Sequence, residues 1–144
     1  MKPEEFFGQI QDDAIVAAIQ AAETRTSGEI RVFVSEQEID DAVVAAQVTF
    51  SRLGMSRTRE RNGVLIFVAP RTRRFAVIGD AGIHERCGPE FWRSLVEEMS
   101  GCFKQGRFTE GLTLGITKAG ELLATHFPRG SDDQNELPDR VERD

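Results

Sequence analysis

Several common features are missing from this chain, and each absence narrows the field. It has two cysteines in 144 residues, Cys87 and Cys102, in neither a CxxC pattern nor a zinc-ligand spacing. Scattered cysteines of this kind are expected to be reduced thiols of a cytoplasmic protein. The opening Met1-Lys-Pro-Glu-Glu-Phe-Phe-Gly-Gln has neither an apolar export core nor a small-residue cleavage site. No apolar run approaches the ~20 residues that span a bilayer, so no transmembrane segment is expected. The formal charge of −6 argues against nucleic acid as a partner. Half of it falls in residues 129–144, so the rest of the chain is mildly acidic. There is no internal repeat. A DxD pair and a G-x-S-x-G elbow are both absent, and with them two of the usual covalent phosphatase and hydrolase arrangements.

What is present reads as one α/β domain. Ile10, Ala14, Ile15, Ala18, Ile19 and Ala22 recur at helical spacing and predict an amphipathic helix over 4–24. Thr26-Ser27-Gly28 stops it. Glu29 to Ser35 then alternates polar and apolar like a strand with one solvated side. Asp40 or Asp41 caps a second helix with Val44, Ala45, Val48 and Leu53 on its inner face, and Gly54 ends it. Val64–Ala69 is almost wholly apolar and predicts a central strand covered on both faces. Phe75–Ile78 pairs back on it through the Pro70–Arg74 turn. Gly88-Pro89 opens a third helix with Phe91, Leu95, Val96, Met99 and Phe103 as its stripe. A last helix runs from Phe108 to just before Phe127-Pro128. The expected domain is 1–128, a small mixed sheet with helices on both faces, an αβα sandwich. Residues 129–144 are expected to be a disordered polar tail whose removal changes little.

Five short pieces, Thr26-Ser-Gly-Glu-Ile30, Phe50 with Leu53-Gly54, Arg61-Asn-Gly-Val-Leu-Ile66, Gly79-Asp-Ala-Gly-Ile83 with Glu85, and Phe103 through Gly111, stand in a characteristic order. In that order and spacing the chain resembles the TPM domain family, over roughly residues 10–128. That family includes thylakoid-lumen proteins linked to photosystem repair and many bacterial membrane-associated proteins. The resemblance implies an αβα sandwich, a divalent-metal site near loops at one edge of the sheet, and a phosphatase activity disputed even among relatives. The chain is expected to depart from the pattern in having no signal peptide, and the Val-x-Asp segment before the first helix does not occur in these residues. The family's Gly-Tyr-Gly-hydrophobic-Glu run appears here as Gly79-Asp80-Ala81-Gly82-Ile83-His84-Glu85.

The candidate metal ligands are Asp80 and Glu85, with Glu29 as a third. Calcium or another hard divalent cation would need these oxygens together with carbonyls and water. His84 would suit zinc, but the cysteines are poorly placed to complete that set. The alternative is structural: Asp80 makes an Asx turn, Glu85 lies near a helix N-terminus, and Glu29 is a surface-facing strand residue. Cys87 reads as an inert packed thiol and His126 as a helix-end cation. Arg57, Arg59, Arg61, Arg71, Arg73 and Arg74 form a candidate surface for an acidic protein partner, a phosphate or an anionic membrane surface. Their alternative is a solvated edge that blocks strand addition. The expected function is a cytoplasmic, non-enzymatic interaction or accessory module for membrane-associated relatives. The competing expectation is a metal-dependent phosphatase of low activity.

Overall fold

The first helix expected from the sequence is two. In the computed structural model, which describes residues 1–129 and 140–144, α1 spans Pro3–Gln9 and α2 spans Asp12–Glu23. The break has a local cause. Ile10 and Gln11 are extended, and Gln11 donates its N–H to Thr109 Oγ1 at 3.1 Å instead of to a carbonyl one turn back. Asp12 and Asp13 then place carboxylates in the first turn of α2, at the positive end of its dipole. Ile10, Ile15 and Ile19 are buried, as their spacing predicts.

Strand β1 (Glu29–Val34) follows, and all six of its residues are buried. The expected solvated side is therefore absent: Glu29 is 1% and Arg31 4% exposed. Helix α3 (Ala42–Arg52) is capped by Asp41, whose Oδ1 accepts from the N–H groups of Val43 and Val44 at 3.1 and 3.2 Å. Gly54 ends it with φ 72°, the left-handed conformation a glycine adopts without penalty. Its inner face is only partly the expected one, since Ala45 and Leu53 pack against the core. Val44 and Val48 are 53% and 52% exposed, while Ala42, Ala46, Thr49 and Phe50 are buried. Apolar side chains on both sides of α3 left the choice open. The alanine side lets the helix lie close to the sheet, and that side packs.

Strand β2 (Gly63–Ala69) is buried throughout, as its composition requires. It pairs in parallel with β1 and antiparallel with β3 (Arg74–Gly79), so Ile66 faces Val32 on one side and Val77 on the other. The turn between β2 and β3 is a single 3-10 turn, Pro70–Thr72. A short helix not foreseen from the sequence, α4 (Ala81–Arg86), precedes α5 (Pro89–Lys104) and α6 (Phe108–His126). One sheet face, with Ile30, Val32, Val34, Val64, Ile66 and Val68, packs on α2, α5 and α6. The other, with Phe33, Leu65, Phe67 and Ala69, packs on α3. This is the expected αβα sandwich.

The tail expectation covers 129–144. Residues 130–139 of it lie outside the described residues. Glu142–Arg143 form β4, parallel to β1, and complete the sheet order β3-β2-β1-β4. Glu142 carries the reason: its carboxylate pairs with the buried Arg31 guanidinium. Asp144 Oδ2 accepts from Ser35 Oγ at 2.6 Å, and its Oδ1 from the Glu36 N–H at 2.6 Å. Polar residues at the chain's end thus satisfy polar groups that β1 would otherwise bury unpaired.

Candidate functional site at the free edge of the sheet

Asp80 stands where β3 gives way to α4, and its bonds show how the local sequence folds. Its own N–H is donated to the Gly63 carbonyl at 3.0 Å, continuing the β2–β3 ladder. Its Oδ1 accepts from the Ala81 N–H at 2.7 Å, which caps α4. Arg61 grips the same carboxylate with two bonds, Nε to Oδ2 at 3.0 Å and Nη2 to Oδ1 at 3.2 Å. Bidentate pairing of this kind is directional as well as charged. It holds the Arg61 guanidinium protonated above even its usual high range, through the hydrogen bonds first and the charge second.

Gly82 makes the pairing possible. A Cβ there would lie 2.3 Å from the Glu60 carbonyl oxygen and 2.6 Å from that of Arg61. Without one, the 58–61 loop closes on α4, and Gly82 donates its N–H to the Arg61 carbonyl at 2.9 Å. Arg61 takes φ 53° to make this approach, an unusual conformation for a side chain of its size. The neighbouring motif residues belong to one bonded set. Asn62 Nδ2 donates to Ser27 Oγ at 3.1 Å, and Ser27 Oγ donates to Glu60 Oε2 at 3.0 Å. The Thr26-Ser-Gly-Glu and Arg61-Asn-Gly pieces therefore stand together because they tie the starts of β1 and β2.

Beside Asp80 a cavity of about 640 Å³ runs along the outer edge of β3. Phe50 and Ser51 of α3 wall one side, His84 and Trp92 the other, with Ile78 and Gly79 between. Trp92 packs so close to Gly79 that a Cβ there would sit 3.0 Å from its ring. Its Nε1 is buried without a hydrogen-bond partner among the described residues. Cys87 also lines the cavity, and burial pushes its thiol up against the weaker opposing pull of Arg86.

The three candidate metal ligands are not brought together. Glu85 is exposed on α4. Glu29 faces Gly63 across β1–β2, and Asp80 bonds Gly63 from the other side, so a strand separates the two carboxylates. Met55 fills the gap that Gly63 leaves, its carbonyl 3.2 Å and its Cε 3.5 Å from where a Cβ would be. Both oxygens of Asp80 are engaged by Arg61. Among the described residues no three His, Cys, Asp or Glu side chains form a group able to hold a metal ion. Asp80, Glu85 and Glu29 thus do not form one donor set in this arrangement. His84 is exposed at the cavity and His126 closes α6, where its carbonyl accepts from Arg86 Nη1 at 2.7 Å.

The six candidate arginines separate into two groups. Arg57, Arg59 and Arg61 precede β2, at the Asp80 end of the hairpin; Arg71, Arg73 and Arg74 lie at its turn, the opposite end. Arg71 Nε is committed to the Glu36 carbonyl at 2.6 Å. Sequence reasoning missed Trp92 as a wall of the cavity and Arg31 as a buried cation. Trp92 had a signal, as the single tryptophan of the chain just inside the helix that follows Gly88-Pro89. Arg31 had none, because its partner lies 111 residues away.

The TPM domain model matches residues 1–122. Among solved structures, the chain is similar to BA42 protein from the psychrophilic bacterium Bizionia argentinensis, determined by NMR. The two are 41% identical, with 92% of each chain covered and a TM-score of 0.85. It is also similar to the N-terminal domain of a P. gingivalis protein, at 16% identity over 77% of this chain and 72% of that one, with a TM-score of 0.56. That second likeness is one of fold. No curated protein matches. This chain belongs to the TPM domain family.

Proposed function

We propose that the protein is a non-enzymatic interaction module that receives an acidic, extended partner segment at the Asp80 end of the free edge of β3. The observation that carries this reading is the position of β3. It ends the sheet, and among the described residues no strand pairs with its outer side. An edge strand presents unpaired N–H and C=O groups, and an added strand satisfies them. Three features fit such a guest. The cavity runs beside β3, the valines at 43, 44 and 48 expose about half their area on the neighbouring α3, and Arg57 and Arg59 stand exposed without ion-pair partners among the described residues. The free thiols of Cys87 and Cys102 support a reducing, cytoplasmic setting for this role.

Titration of a five-residue peptide alternating Asp or Glu with Val or Ile, followed by amide NMR, tests the reading. Shifts should cluster on Val77, Ile78 and Gly79, which line the cavity, and on α3, and affinity should fall at least tenfold in an Arg57→Glu, Arg59→Glu protein. Shifts scattered over the surface, or affinity indifferent to that reversal, would defeat it. A parallel assay guards against the enzymatic reading. Phosphomonoester hydrolysis with magnesium, calcium or manganese should be equal in the native protein and an Asp80→Ala, Glu85→Ala variant. Metal-dependent turnover lost in that variant would make the protein a hydrolase.

A further inference from the structure

The other end of the β2–β3 hairpin holds a second cavity, of about 430 Å³, separate from the Asp80 site. Its walls are aromatic. Phe75 of β3 meets Phe103 of α5 edge-on, with ring centres 4.9 Å apart, and Phe108 of α6 lies 6.2 Å from Phe103 and 5.1 Å from Phe6. Phe75, Phe103 and Phe108 are each partly exposed, so their packing against the core is unfinished on this side. The rim carries three cations, Arg73, Arg74 and Lys104, all exposed. None has an ion-pair partner among the described residues. Arg73 holds its place with φ 54° and ψ 45°, a left-handed conformation that a glycine or asparagine would adopt more easily.

Aromatic walls under converging like charges suit one chemistry: an apolar body ending in an anion. A bare phosphate would leave the phenylalanines unused, and a neutral hydrocarbon would leave the cations unpaired. The volume falls in the lower part of the range of small-molecule sites, about 300–1,000 Å³. We propose that this cavity binds a single-chain amphiphilic carboxylate, with the acyl chain among the phenylalanines and the carboxylate on Arg73, Arg74 and Lys104. This site is independent of the β3-edge reading, which concerns the opposite end of the hairpin.

Isothermal titration with dodecanoate below its micelle concentration tests the proposal. Saturable one-to-one binding is expected, with methyl dodecanoate and acetate each at least tenfold weaker. An Arg73→Glu, Arg74→Glu protein, whose changes lie on exposed residues, should lose at least tenfold in affinity while keeping its circular dichroism. Ser100→Trp, which fills the cavity from α5 and leaves the charges in place, should also abolish binding. Dodecanoate bound equally well by the double variant, or no saturable binding, would overturn the proposal. Sedimentation with vesicles of anionic phospholipid in the absence of one-to-one dodecanoate binding would also overturn it, in favour of a membrane surface.

Discussion

Asp80 was legible in the sequence as a carboxylate between two glycines, but its role was not, because the deciding partner approaches from another loop. With Arg61 on both oxygens and α4 on one, Asp80 is above all a fastening. Asp80→Ala should cost about 1 kcal/mol from the lost helix cap alone. Asp80→Asn keeps an oxygen for Ala81 and should cost less, which urea unfolding of both variants will show. Cys87 offers a second test at this scale. Burial raises its thiol above the ordinary value of roughly 8.5. Its iodoacetamide reaction should therefore be slower than that of a small thiol at pH 7, with a midpoint at higher pH. Stability follows the same sign: the contribution is complete below the unfolded thiol's pKa and is lost as pH rises through the folded value. A Cys87→Ala protein should lose stability less steeply above pH 8.5. An alkylation midpoint below that of the free thiol would contradict the burial.

At the scale of elements, the strands were the most legible, since Val64–Ala69 can hardly be anything but a covered central strand. The choice between two apolar faces of α3 was not legible, because it depends on how closely the helix can approach Leu65 and Phe67. Nor was β4. A two-residue strand has no periodicity, and its charged residues looked like solvent-seeking ones until Arg31 was found buried opposite Glu142. That contact reverses the expected effect of shortening the chain. Ending it at Asp139 leaves Arg31 buried without its partner, and breaking such a pair costs about 3 kcal/mol at the lower end of the usual range. For a domain this size the melting temperature should fall by roughly 6–12 °C. An Arg31→Met change in the shortened chain should recover part of it, since an uncharged side chain needs no partner. No drop on truncation would mean that β4 contributes nothing. Gly82→Ala provides a second element-level test. The added methyl meets two backbone carbonyls rather than a yielding side chain, so the 58–61 loop must lift away from α4. The expected loss of about 1–3 kcal/mol is that of overpacking. It should exceed the loss from Gly115→Ala, where the obstacle is the flexible Met99 thioether.

For the molecule as a whole, the arginines decide between one binding surface and two. As a string of residues from 57 to 74 they look like a single basic patch on a chain of net charge −6. The hairpin sends them to its two ends, and the six residues of β3 set the ends roughly 20 Å apart. At 0.15 M salt exposed charges interact over about 8 Å, so the two groups should not sense one another. Sites that far apart with no shared partners are usually additive. Arg57→Glu, Arg59→Glu should therefore leave dodecanoate affinity within twofold, and Arg73→Glu, Arg74→Glu should leave acidic-peptide affinity within twofold. At 0.01 M salt the Debye length grows to about 30 Å, and each reversal should then weaken binding at the far end as well. Both affinities falling together at 0.15 M would mean that the arginines serve one continuous surface, with a single ligand spanning the hairpin.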